Sequence, residues 1–197
     1  MAKSRESYIV QLMNLGFKRA AESFSKFLQV PVRVATPQVS AVNMPNRYSN
    51  YSEEKEDLYV LVTQIIGAFS GKSYLILNYR ETEEIFKTVF KDHRALANMK
   101  EALLMDIDNI VSASVISELA NVLDVEIYGD VPVLKRIPFK NLQLFFRDEQ
   151  GEEDVTKLIF TNTVFLFDSK DHIRPQFVWR LTANVFDSVL VHKISRS

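Results

Sequence analysis

The sequence predicts an α+β fold built twice, and three observations carry that expectation. The first is a repeat at an offset of 95 residues, which aligns Asn14 with Asn109, Leu28 with Leu123, Val30 with Val125 and Pro37 with Pro132. Leu15/Ile110, Phe24/Leu119 and Val32/Ile127 are apolar pairs at the same offset. The second is that each copy reads as a helix-length run, then a β-branched run, then a proline. The third is a pair of β-branched and aromatic stretches around GAFSGK, whose glycines suit a tight reversal between antiparallel strands. So large an offset marks a duplicated half-domain, not a solenoid unit of roughly 20–50 residues. The expectation is one domain over 1–197, with halves at about 1–93 and 94–197. The halves share one largely antiparallel sheet, with the long helices packed on it.

At 197 residues, 47% of them hydrophobic and 25% charged, the chain is of a size and composition to bury a full core. Twenty-four basic and twenty-five acidic residues leave a net charge of −1, no footprint for nucleic acid or an anionic membrane. There is no cysteine, hence no disulfide framework and no thiolate zinc site. The start, MAKSRESYIV, carries no apolar signal region, and no run is long enough to span a bilayer. The compartment expected is the cytoplasm. His93, His172 and His192 are isolated, share no ligand spacing and are expected at the surface.

From Tyr8 to Leu28, Ile9, Met13, Phe17, Ala20, Phe24, Phe27 and Leu28 recur in threes and fours, an amphipathic helix. Its other face carries Ser7, Gln11, Asn14, Lys18, Glu22 and Ser25. Pro31 then permits only extended chain, and VRVATPQVSAVNM alternates as a strand. Residues 43–57, polar and turn-rich, read as the longest loop. After the hairpin, ETEEIFKTVFKD reads as a helix with acidic residues in its first turn, favourable against the helix dipole. The second long helix is expected from about Arg94 to Leu123 and, being apolar on more than one side, more buried than the first. Beyond Pro132 the segments VLKRIPF, NLQLFFRD, DVTKLIFTNTVFLFD and RPQFVWRL read as strands, and TANVFDSVL as a closing helix.

Two polar pairs stand out on the helices: Gln11 with Asn14, and Asp106 with Asn109. Asn is a poor helix former because its side chain competes with the backbone for hydrogen bonds. Yet it occupies matching positions of both copies. The pattern Ser7-x3-Gln11-x2-Asn14-x22-Pro37, followed by Ala102-x3-Asp106-x2-Asn109-x22-Pro132, resembles the CheC family of bacterial chemotaxis. That family's signature is (Asp/Ser)-x3-Glu-x2-Asn-x22-Pro, present twice in its longer members. The stretch IIGAFSGKSYLILNYRETEEIF is similar to the family's long hairpin and following helix, so the resemblance covers nearly the whole chain. Two copies favour the CheC type over the shorter CheX type.

The resemblance implies hydrolysis of the aspartyl phosphate of the response regulator CheY. In the family, the receiver supplies the phosphorylated Asp and its Mg²⁺, and the phosphatase brings no cofactor of its own. Its Asn aligns a water for in-line attack, and its Glu contacts a receiver lysine. On that basis Asn14, Asn109, Gln11 and Asp106 are the candidate catalytic residues. Both copies depart from the signature: Gln11 replaces the acid, Asp106 is a methylene shorter, and Ala102 lacks the polar group. Phe17, Lys18, Val111 and Ser112 stand where the family has small residues. A competing register, Ser114-x3-Glu118-x2-Asn121, keeps the glutamate but has Leu144 where the proline belongs. The alternative function is a catalytically silent adaptor. The same fold serves in the flagellar switch proteins FliM and FliY, and CheC binds the deamidase CheD.

Overall fold

The computed structural model describes residues 2–35, 38–40, 57–68, 70–90, 97–150, 158–167 and 174–182. Helix α1 (Ala2–Leu28) is followed by strands β1 (Val32–Val34), β2 (Gln38–Ser40), β3 (Asp57–Gly67) and β4 (Gly71–Leu77), then helix α2 (Tyr79–Phe90). The second half repeats the order with α3 (Ala97–Leu123), β5 (Ile127–Gly129), β6 (Val133–Pro138), β7 (Leu158–Phe167) and β8 (Gln176–Thr182). A 3-10 turn (Phe139–Asn141) and helix α4 (Leu142–Gln150) are inserted between β6 and β7.

All strands belong to one antiparallel sheet ordered β1-β7-β8-β4-β3-β5, with β2 also on β7 and β6 also on β3. Exchanging β1 with β5, β2 with β6, β3 with β7 and β4 with β8 leaves this order unchanged. The pseudo-dyad therefore lies between β4 and β8, which pair from Gly71↔Leu181 to Ile76↔Gln176. Each half lends its short strands to the long strand of the other, so the two are interlocked.

The repeat holds at the level of single residues. Both long helices have 27 residues, and their first and last residues are 95 apart. Each ends on a non-glycine residue in the left-handed region, Gln29 and Asp124, both at φ 55°. The next N–H in each closes the cap, Val30 onto the Ser25 carbonyl at 3.3 Å and Val125 onto the Ala120 carbonyl at 3.1 Å. Side chains with a Cβ are strained in this region by about 1–2 kcal/mol. Gln29→Gly and Asp124→Gly are each expected to raise stability in urea melts by about 0.5–1 kcal/mol, less than the strain because glycine costs more entropy to order.

From Gln11 to Leu28, the eight buried positions match one for one the eight from Asp106 to Leu123. The second helix is thus no more buried than the first over this span, contrary to the sequence expectation, because the pseudo-dyad gives both the same seat on the sheet. Phe24 meets Phe165 and Phe167 edge to face at 5.7 and 5.4 Å, and Phe17 meets Phe177 at 5.8 Å. On this inner face β3, β4 and β8 present Leu61, Ile65, Leu75, Leu77, Phe177 and Trp179.

The outer face is also buried. Leu58, Val60, Val62, Tyr74, Ile76 and Val178 pack with Ile137, Leu142 and Phe146. Here the structure corrects one reading: NLQLFFRD is not a strand, but runs from the 3-10 turn into α4. Alternation of Leu142 and Leu144 suggested a strand, yet the buried pair is Leu142 and Phe146, one helical turn apart, while Leu144 is exposed. Glu149 fixes the far end of α4. Its carboxylate accepts from Lys72 and Lys135, and its backbone carbonyl accepts from the Arg180 guanidinium. Burial pushes this carboxyl up, but the two lysines outweigh it and hold it below its ordinary value.

Helix α2 begins with a reciprocal cap. The Asn78 N–H donates to Glu81 Oε2 at 2.7 Å and the Glu81 N–H to Asn78 Oδ1 at 2.8 Å. Glu81 Oε1 also accepts from the backbone N–H of Arg174, at 2.7 Å, just before β8. With the residue 1% exposed, Glu81→Ala leaves the buried Asn78 N–H and the part-buried Arg174 N–H without their acceptor. The expected loss is about 2–4 kcal/mol in chemical denaturation, with Glu81→Gln recovering part of it.

Residues 43–56, Pro37, His93, His172, His192 and 183–190 of the expected closing helix lie outside the described residues; Asp57 opens β3 and Thr182 ends β8.

Candidate functional site

Helices α1 and α3 pack across each other on the inner face of the sheet. Gly16 lies where a side chain would not fit, since a Cβ there would stand 2.9 Å from Val115 Cγ1. Arg19 Nε lies 3.4 Å from Glu118 Oε2, and Ser114 Oγ donates to Ser23 Oγ at 2.8 Å. These two contacts are mates under the pseudo-dyad, because Arg19 corresponds to Ser114 and Ser23 to Glu118. As the number rises on one helix it falls on the other, so the helices run antiparallel; with the Gly16–Val115 approach, they cross between Lys18 and Ala21 on α1 and between Ala113 and Ile116 on α3.

Asn14 and Asn109 each lie four to seven residues before that crossing, on opposite sides of it. At 1.5 Å per residue they are about 12–20 Å apart along the helices. The structure therefore does not bring the two polar pairs together: it makes two separate sites, one per half. Gln11, Asp106 and Asn109 are exposed, and Asn14 is half-buried beside the exposed Leu15. Among the described residues none of these four side chains has a hydrogen-bond or ion-pair partner. Among the described residues, nothing uses the donors and acceptors of these four side chains.

Of the positions where the family has small residues, three of four are core. Phe17 is 0% and Ser112 1% exposed, Val111 is buried, and only Lys18 faces out. Ala102, one turn before Asp106, is exposed and adds no polar group. In the competing register, Glu118 is occupied by Arg19 and lies in the helix crossing, while Asn121 is exposed near the end of α3. The two residues do not form an unpartnered outward pair as Asp106 and Asn109 do.

One group next to the second site was not singled out from sequence. Asp108, between Asp106 and Asn109, is fully buried and accepts a 2.6 Å hydrogen bond from Thr63 Oγ1 of β3. Burial pushes its carboxyl up to about 7, and the Thr63 bond offsets this only in part. The available signal was its place opposite Met13, a core position of the first copy. No group of three or more potential metal ligands exists among the described residues, and no helix there is long and apolar enough to cross a membrane.

The fold is CheC-like: a doubled α/β unit on one antiparallel sheet, found also in the solved structures of FliY, CheX and the FliM middle domain. Thermotoga maritima FliY superposes with a TM-score of 0.72 at 13% identity, covering 100% of this chain and 99% of that one. The FliM middle domain of H. pylori gives 0.61 at 10% identity, over 97% and 99%. CheX in the CheX–CheY–BeF3–Mg complex of Borrelia burgdorferi gives 0.57 at 10% identity, over 87% and 97%. No family model matches the sequence, and no curated protein matches it.

Proposed function

We propose that this chain dephosphorylates a CheY-type receiver domain through two independent sites, Gln11/Asn14 on α1 and Asp106/Asn109 on α3. One observation carries the reading: two amide-bearing pairs occupy the same turn of two equal helices, solvent-accessible and without partners among the described residues. A solvent-accessible amide, able both to donate and to accept, is suited to holding a water.

Phosphoryl transfer asks a protein mainly to position the nucleophile and offset charge. In this reading the receiver brings the aspartyl phosphate and the Mg²⁺. The asparagine carboxamide holds the attacking water in line with the bond to be broken. The water oxygen bonds to phosphorus, the acyl-phosphate P–O bond breaks, and the receiver's Asp leaves as a carboxylate. Asp106, or Gln11 in the first site, meets a cationic group of the receiver. The reading places the protein in the cytoplasm, as one domain of two repeated halves. It is supported by the solved complex of CheX with CheY, a protein of the same fold.

The test is phosphate release from phosphorylated CheY-type receivers encoded in the same genome, with and without this protein. Acceleration that is lost in the double Asn→Ala variant supports the reading. No acceleration with any of them overturns it.

A second reading has its own observation: Gln11 and Ala102 have lost the acid and the polar group that the signature requires. A silent adaptor binding CheY, CheD or a flagellar switch component would retain affinity for such a partner without turnover.

A further inference from the structure

Two carboxyl side chains among the described residues are essentially inaccessible, Glu81 and Asp108. Glu81 is saturated by backbone N–H groups, as described above. Asp108 is not. Its Oδ2 accepts from Thr63, whereas its Oδ1 is buried with no hydrogen-bond partner among the described residues. The Ser112 hydroxyl, one turn on, donates to the Asp108 main-chain carbonyl at 2.7 Å and leaves the carboxyl alone. Thr63 faces Asp108 from the sheet as part of a polar row, being the cross-strand partner of Ser73, which is in turn the partner of Trp179. Ser73 Oγ and Trp179 Nε1 are likewise buried without a partner. Among the described residues, burial and the Thr63 bond are the two influences that act on the carboxyl. In the first half the matching position is Met13, 0% exposed in an apolar seat.

We propose that Asp108 is a positioning residue: its bond to Thr63 fixes the rotation of α3 on the sheet, and with it the outward aim of Asp106 and Asn109. At 100° per residue, Asp106 points about 160° and Asn109 about 100° away from Asp108. With side-chain tips some 5–6 Å from the axis, a 20° roll of the helix displaces both by about 2 Å. A shift of about 1 Å at a positioning group can cost a hundredfold in rate. The anchor holds while the acid is neutral, because an anion with one hydrogen bond and one bare oxygen has no compensation in this apolar seat. The first site, built on Met13, has no such dependence. The positioning role rests on the phosphatase reading only for its effect on turnover; the anchor itself does not.

The experiment measures amide exchange protection of α3 and α1 in the full chain, corrected for intrinsic rates, between pH 5 and 7. Wild type, Asp108→Asn and Thr63→Val are compared. Protection of α3 in wild type should fall by up to tenfold per pH unit, since the closed state binds a proton that the open state releases. Asp108→Asn keeps the acceptor, cannot titrate and should flatten that slope. Thr63→Val should lower α3 protection throughout this range. Equal slopes in wild type and Asp108→Asn overturn the proposal. In an Asn14→Ala background, Thr63→Val should also lower receiver dephosphorylation about tenfold or more, and unchanged turnover overturns the aiming role. If wild type has no phosphatase activity, the functional reading falls, and the exchange slopes still decide the anchor.

Discussion

Asn14→Ala combined with Asn109→Ala is expected to abolish acceleration of receiver dephosphorylation, a loss on the order of 10²-fold or more. An alanine there cannot hold the attacking water, and Phe17 and Ser112, three residues on, are buried and cannot replace it. The single variants should not be equal. Asn109 is exposed where Asn14 is half-buried, and only Asp106 offers a receiver cation a full negative charge. Hydrogen bonds with a charged partner are worth about 1.5–3 kcal/mol against roughly 0.5–1.5 for neutral ones, a gap of about tenfold in rate. Asn109→Ala should therefore cost more than Asn14→Ala, and Gln11→Glu should raise the first site by up to about tenfold. With the sites on separate helices and about 12–20 Å apart, their contributions should add. Equal losses from the single variants, with no gain from Gln11→Glu, would sink the ranking by charge. Full activity in the double variant would remove the asparagine mechanism and leave the adaptor reading in front.

Much of this architecture was legible because the duplication left its strongest marks at positions where backbone geometry tolerates little change. The offset fixed by Asn14 and Asn109 also relates the helix ends, the left-handed caps at Gln29 and Asp124, and the buried positions. The hairpin of β3 and β4 was readable from its β-branched runs. The exchange of short strands between halves was not, since pairing of β1 with β7 is a long-range choice that no local pattern encodes. NLQLFFRD misled because period two and period 3.6 cannot be separated over eight residues, and what decides is which face meets the sheet. Asp108 escaped notice for a related reason. In Asp-x-Asp-Asn the middle acid reads as one more solvated charge until the helix is rotated onto its core.

Unfolding free energy should fall as pH rises from about 4 to about 7, by up to about 1.4 kcal/mol per unit, and Asp108→Asn should remove that slope. The sign follows from the proton count. Asp108 titrates near 3.8 when unfolded and near 7 when folded, so between these values the native state holds a proton that the unfolded chain has released. Its neutral form therefore contributes stability that is complete below the lower value and lost as pH passes the upper one. Integrated across the window this is about 4 kcal/mol, a large part of the roughly 5–15 kcal/mol by which domains of this kind are stable. Glu149 acts in the opposite sense. Its folded value is depressed, so its contribution is present above its ordinary range and lost in acid. The two together predict a maximum of stability at mildly acidic pH. Urea melts at intervals from pH 4.5 to 8, for wild type and Asp108→Asn, isolate the aspartate as the difference between the curves. That difference should grow in favour of the variant up to about pH 7 and then level off. A difference that stays constant over the whole range would show that Asp108 carries its charge in the folded protein, and that the buried seat against Thr63 accommodates an anion.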